Sequence, residues 1–147
     1  MIPPFDDTYF MKQALVEASL AARKGEVPVG AVIVCRNRII ARAHNQTELL
    51  NDPTAHAEIL AITSAAHTIG SKYLTNCALY VTVEPCAMCA GAIGWSHLST
   101  LVYGSADEKR GFRQYAPHAL HPKTIVKSGV LEKECTDIMT DFFRKLR

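Results

Sequence analysis

The stretch Ala78-Leu79-Tyr80-Val81-Thr82-Val83-Glu84-Pro85-Cys86-Ala87-Met88-Cys89 decides how this chain folds. Its first six residues are apolar, aromatic or β-branched, the composition of a strand in the middle of a sheet. Pro85 ends that strand, because it has no N–H to give to a ladder. It suits the first turn of a helix, where the missing donor is not needed. The expectation is a central strand over residues 78–83, then a helix from Pro85 to about Trp95, with Cys86 and Cys89 at its start.

Working outward, residues 29–35 read as a buried strand and residues 39–43 as its partner, with Asn37-Arg38 as the turn. Before them, Asp6 or Thr8 can cap a helix running to about Lys24. Phe10, Ala14, Ala18 and Ala21 recur on it at helical spacing, and Gly25 stops it. Residues 45–53 form a loop, and a second helix spans about residues 55–67, ending at Gly70. Beyond the central helix, residues 101–103 read as a short strand. Residues 105–122 are irregular, with Gly111, Pro117 and Pro122, and residues 124–127 read as a last strand. A C-terminal helix over residues 131–147 carries Leu131, Cys135, Ile138, Met139, Phe142 and Leu146 on its expected inner stripe. Strands alternating with helices predict an α/β class: a mixed sheet with helices packed on its faces.

The 147 residues suit one domain, 1–147, with a real core. Sixteen Lys and Arg against 14 Asp and Glu give a net charge of +2, too small to announce nucleic-acid binding. The basic residues are uneven: Lys109, Arg110 and Arg113 share one loop, and Arg144, Lys145 and Arg147 close the chain. The second group is equally well explained as a favourable helix end. No segment approaches the roughly 18 apolar residues of a spanning helix, and the N-terminus lacks the pattern of a signal peptide. A cytoplasmic location is the expectation. Five cysteines, two of them three residues apart, then favour metal or redox chemistry over a disulfide framework.

Two short motifs carry the chemistry. Cys86 and Cys89 lie three apart at a helix start, on one face. The free amides of a first turn favour the thiolate, which is the metal-binding form. His56-Ala57-Glu58 also falls near an expected helix start. His56, Cys86 and Cys89 make three ligands for Zn2+ and leave a fourth position for water. Glu58 is then the spare carboxylate that a hydrolytic site needs to move protons. Residues two apart on a regular helix point about 200° from each other, so His56 and Glu58 can face one ion only if that first turn is irregular. Taken alone, a Cys-x-x-Cys pair fits a structural zinc or a thioredoxin-like redox pair as well. A structural zinc needs a fourth ligand, for which only Cys77 and His97 are near in sequence. A redox pair leaves His56 and Glu58 unexplained. The combined pattern is the signature of zinc-dependent nucleobase deaminases.

Longer strings extend that likeness. Gly25-Glu26-Val27-Pro28-Val29-Gly30-Ala31-Val32, Pro53-Thr54-Ala55-His56-Ala57-Glu58, the run from Leu79 through Cys89 to Ala92, and Asp141-Phe142-Phe143-Arg144 resemble the bacterial tRNA-specific adenosine deaminases. The resemblance implies a three-layer cytidine-deaminase-like fold, a mixed five-stranded sheet between helical layers, and a homodimer. It implies zinc on His56, Cys86 and Cys89, Glu58 as proton shuttle, Asn45 holding the base and the Ala57 amide touching the ring. The implied substrate is the wobble adenosine of a tRNA anticodon loop, hydrolysed to inosine. A free base or nucleoside (guanine, cytosine or cytidine) is the alternative. It is motivated by residues 112–118, Phe112-Arg113-Gln114-Tyr115-Ala116-Pro117-His118, which replace a glycine-rich segment usual in that family.

Phe112, Arg113 and Tyr115 are candidates to stack on loop bases, or else residues that pack this loop onto the body. Cys35, Cys77 and Cys135 read as core, and Trp95 and Phe142 as core or dimer interface.

Overall fold

The computed structural model describes residues 5–146. The Asp6 carboxylate accepts the Tyr9 amide at 2.9 Å and starts helix α1 (Asp7–Arg23). The chain reverses at Gly25, whose φ of 77° needs a residue without a side chain. Strands β1 (Gly30–Cys35) and β2 (Arg38–His44) form a hairpin. Its turn is Arg36-Asn37, one residue earlier than the sequence suggested. Both residues are left-handed, with φ of 54° and 62°, because a two-residue hairpin loop needs that twist. There follow α2 (Ala57–Ile69), β3 (Cys77–Val83), α3 (Ala87–Ser96), β4 (Thr100–Ser105), the short α4 (Phe112–Tyr115), β5 (Ile125–Ser128) and α5 (Glu132–Lys145).

The sheet order is β2-β1-β3-β4-β5, with β1 antiparallel to both neighbours and β3, β4 and β5 parallel. Alternation of side chains sends each strand to two cores. Val32, Val34, Tyr80 and Val102 meet Phe10, Met11 and Ala14 of α1 and Cys135 of α5. Ala31, Ile33, Leu79, Val81 and Leu101 meet Ala57, Ala61 and Ala65 of α2 and Ala90 and Ile93 of α3. The result is the expected mixed five-stranded sheet between helical layers. Cys77 and Cys135 are core, as read from sequence, while Cys35 is half-buried.

The expected inner stripe of α5 is only partly covered. Cys135 is buried, Ile138, Met139 and Phe142 are half-buried, and Leu146 is exposed. The helix packs on β4, α1 and β3, and that contact covers only part of its apolar stripe. Among the described residues no helix is long and apolar enough to cross a membrane.

The tightest helix-to-sheet contact is at Gly30. A Cβ there would stand 2.0 Å from the Ala14 carbonyl oxygen and 2.4 Å from the Ala18 nitrogen. Backbone cannot yield as a flexible side chain does, so Gly30→Ala should push α1 off β1. We expect a loss of about 3 kcal/mol, seen as a lowered melting temperature; an unchanged one would contradict this packing.

Candidate metal centre and active site

Two helices begin at the same edge of the sheet, and each is entered through a metal-ligand type of residue. His56 is the N-cap of α2, with φ −75° and ψ 153°. Cys86 is the N-cap of α3, with φ −74° and ψ 176°. Both backbones are extended, so helical periodicity does not govern where these side chains point. That removes the 200° difficulty between His56 and Glu58: only Glu58 lies inside the helix. Pro85 correspondingly stands just before the cap of α3, not in its first turn as the sequence suggested.

His56 Nδ1 lies 3.7 Å from Cys86 Sγ and 3.5 Å from Cys89 Sγ. All three donor atoms lie within 4.8 Å of one another. Zinc–sulfur bonds of about 2.3 Å and zinc–nitrogen bonds of about 2.0 Å at tetrahedral angles separate N from S by about 3.5 Å. The cluster therefore has the dimensions of three corners of a zinc tetrahedron. The fourth ligand that a structural zinc would need is not among the candidates named from sequence. Cys77 faces Cys35 at the far end of β3, and the His97 ring stacks on Tyr73 at 4.6 Å.

The two sulfurs hold their protons unequally. A hydrogen bond from Cys89, with His56 adding to it, takes the Cys86 thiol down to about 4. The same hydrogen bond, together with burial, pushes Cys89 up. A hydrogen bond with Cys86 raises His56, against the effect of burial. Glu58 is 4% exposed. Burial pushes its carboxyl up to about 7, partly opposed by its own backbone N–H and by His56.

His56, Ala57, Glu58 and Cys86 line a cavity of about 690 Å³. Asn45, the first residue after β2, is buried on its wall and donates to the Val27 carbonyl at 3.4 Å. Ala57 is the first residue of α2. The first helical bond runs from the Leu60 amide to the His56 carbonyl at 3.1 Å, so the Ala57 amide is among those a helix start leaves for other partners. Five of the six site residues read from sequence thus line one cavity, and the sixth, Cys89, is buried behind it with its sulfur in the donor cluster. Val27, Val29, Thr47, Val83, Met88 and Met139 line it as well, none of them assigned a site role beforehand; Val27 and Val29 lay inside the Gly25–Val32 string and Val83 and Met88 inside the run from Leu79 to Ala92, while Thr47 and Met139 carried no such signal.

The sequence also missed Glu84. Its side chain is fully buried, yet it accepts from the Asp107 amide at 3.0 Å and the Arg113 amide at 3.2 Å. Arg113 adds Nε at 3.1 Å and Nη2 at 3.0 Å. Burial raises this carboxyl, but the Arg113 fork and the two amides outweigh it and hold it below the ordinary carboxylate value. Gly111 passes so close that a Cβ would stand 2.3 Å from Glu84 Cδ. The Phe112 amide donates to the Pro85 carbonyl at 2.8 Å. The loop after β4 is thereby stitched to the junction that carries Cys86. Arg113 and Phe112 serve that stitching: Phe112 is buried edge-on against Tyr103. Phe112 is thereby taken out of reach of a base, and the half-exposed Arg113 guanidinium is held in place by Glu84. Tyr115 is free to stack, being 67% exposed and lining the cavity together with Arg110.

Comparison with known proteins gives one consistent set of relatives. The family described as MafB19-like deaminase matches residues 5–147. The tRNA-specific adenosine deaminase of Agrobacterium fabrum is 45% identical over 145 residues, covering 95% of each chain. A solved structure from studies of A-to-I editing by tRNA:A34 deaminases at the wobble position of transfer RNA is 45% identical. It has a TM-score of 0.83 and covers 89% of this chain and 99% of its own. A guanine deaminase from Bacillus subtilis is 39% identical with a TM-score of 0.67, over 69% of this chain and 66% of its own.

The Glu84 network makes stability depend on acid in a defined direction. A carboxyl lowered on folding stabilises the native state above its unfolded value, about 4.3. That contribution disappears as pH falls through the lower native value. Glu84→Gln should cost about 2 kcal/mol at pH 7 in urea unfolding, and the difference from the parent should shrink in acid. A difference that is the same at pH 7 and pH 3 would refute the assignment.

Proposed function

The chain belongs to the family of tRNA-specific adenosine deaminases, and on that premise we propose that it hydrolyses the wobble adenosine of a tRNA anticodon loop to inosine, releasing ammonia. The observation that carries the reading is the cluster of His56 Nδ1, Cys86 Sγ and Cys89 Sγ beside a buried Glu58 on a cavity wall. A free base or nucleoside remains the competing substrate, and the guanine deaminase likeness is its support.

In this reading residues 1–147 are one zinc-dependent deaminase domain, and His56, Cys86 and Cys89 hold Zn2+. When bound, zinc supplies Lewis acidity toward water. Glu58 takes a proton from the attacking water and passes it to the ring nitrogen as oxygen adds to the carbon bearing the amine. It then protonates the amine as that group leaves. The net change replaces the exocyclic amine by a carbonyl oxygen, with one water consumed. Asn45 hydrogen-bonds the base through its side-chain amide, and the Ala57 N–H contacts the ring and fixes its depth. An anticodon loop suits a buried site because its bases swing out at low unstacking cost.

We also place the protein in the cytoplasm, as a homodimer. Met88, Gly91, Ala92 and Trp95 recur along the outer face of α3 at helical spacing. Trp95 is 82% exposed and Met88 39%. Met88 also lines the cavity, so this face continues into the site and a second copy resting on it would help to enclose the substrate.

Two outcomes test these assignments. The protein should convert the wobble adenosine of an anticodon stem-loop to inosine, while Glu58→Ala keeps stoichiometric zinc but loses about 10²–10⁴ in rate. Deamination of guanine, cytosine or cytidine without stem-loop conversion would select the competing substrate, and zinc loss in Glu58→Ala would make that residue a ligand. For the assembly, light scattering should find a dimer that Trp95→Glu turns into a monomer; a monomeric parent protein would remove the interface.

A further inference from the structure

His56, Glu58 and Cys86 line the same cavity of about 690 Å³ as Arg110, Tyr115 and Met139. A single adenine base fills only part of such a space, so with the target base at Glu58 the remainder accommodates something attached to it.

Tyr115 is unusual in how firmly it is presented. Three of the four residues before it in the segment 111–115 are anchored by their surroundings. Gly111 lies against the Glu84 carboxylate with no room for a side chain. Phe112 is buried against Tyr103, and its amide holds the Pro85 carbonyl. Arg113 forks the Glu84 carboxylate through Nε and Nη2. One turn then closes with the Ala116 amide on the Phe112 carbonyl at 2.8 Å. The residue delivered by this rigid turn is an aromatic ring left 67% exposed on the cavity wall. A large exposed ring contributes nothing to the core, but it is a ready platform for a nucleobase. Arg110, lining the same cavity, supplies the positive charge that a phosphate linkage needs.

We propose that Tyr115 is a specificity-determining residue that stacks on a nucleotide flanking the target adenosine, held in place by the Glu84–Arg113 pair. This rests on the tRNA reading above. It makes the segment 111–115 the part of the chain that prefers a single-stranded loop over a free base. Arg113 is a positioning residue here, and Tyr115 touches the RNA.

The test is binding of a fluorescently labelled anticodon stem-loop to the zinc-loaded protein, measured by anisotropy alongside inosine formation. Tyr115→Ala should weaken binding about tenfold, and Tyr115→Phe should stay within about twofold of the parent. Tyr115→Leu, which keeps apolar bulk without an aromatic face, should resemble the alanine variant. Removing the base next to the target, on the side that Tyr115 reads, should weaken the parent protein similarly and leave Tyr115→Ala unaffected. A merely structural role would not produce that last result. Binding by Tyr115→Ala within about twofold of the parent, or equal losses by it on intact and abasic loops, overturns the inference while inosine formation by the parent still upholds the tRNA reading. A parent protein that neither binds nor converts the stem-loop overturns both.

Discussion

The site depends on two residues standing just outside the helices they introduce. His56 and Cys86 are both extended, with ψ of 153° and 176°. Had either entered its helix, its side chain would have been tied to helical spacing and would have diverged from its neighbour. Pro85 enforces part of this, because the residue before a proline is held away from helical geometry, and Glu84 accordingly stays outside the helix with its amide on the Ser105 carbonyl at 2.8 Å. The cap geometry also lets the first-turn amides of α3 favour negative charge where Cys86 sits. One backbone feature, repeated at two helix starts, supplies the convergence of donors, and the hydrogen bonds from Cys89 and His56 that this convergence allows lower the Cys86 thiol.

Glu84 is the second support, and it links two functions through one carboxylate. It is adjacent to Pro85 and one residue further from Cys86, and its oxygens are taken up by residues 107 and 113. Burying an ion is costly unless its lone pairs are satisfied, and here four donors satisfy them. The consequence reaches beyond stability. The Pro85-Cys86 junction and the loop that carries Arg110 and Tyr115, both on the cavity wall, are fastened together around this carboxylate. A change that loosens the loop also loosens the junction that carries Cys86.

What the sequence made legible was local. The strands of residues 29–35 and 78–83 showed in their apolar runs, and α1 in the spacing of Phe10, Ala14, Ala18 and Ala21. The metal cluster showed because its ligands lie in two short strings of fixed spacing. What escaped depended on distant partners. Glu84 reads as an ordinary polar residue until Arg113, 29 positions later, is folded onto it. Phe112 and Arg113 looked available for RNA for the same reason. The stripe on α5 followed helical spacing, yet spacing does not say how much surface packs against it, and Ile138, Met139 and Phe142 are only half-buried. The hairpin turn moved by one residue because Arg36, which nothing in its type marks as left-handed, takes that conformation beside Asn37.

Strand direction explains why so many separate segments meet in one place. The parallel strands β3 and β4 end at the same edge, where Val83 pairs with Ser105. In open α/β sheets ligands bind beyond such carboxyl ends. The antiparallel strand β1 begins at that edge, bringing Val27 and Val29 to it. Its partner β2 ends there, since Gly30 faces His44, and so delivers Asn45. Four strands therefore release or receive their connecting segments at one edge, and α2 and α3 start above it. His56, Glu58 and Cys86 come from those helix starts, where geometry is fixed by caps and by packing on the sheet. Asp107, Arg110 and Tyr115 reach the same cavity from the loop after β4, outside the strands. That division separates the unusual segment 112–118 from the elements that hold the donor cluster and Glu58.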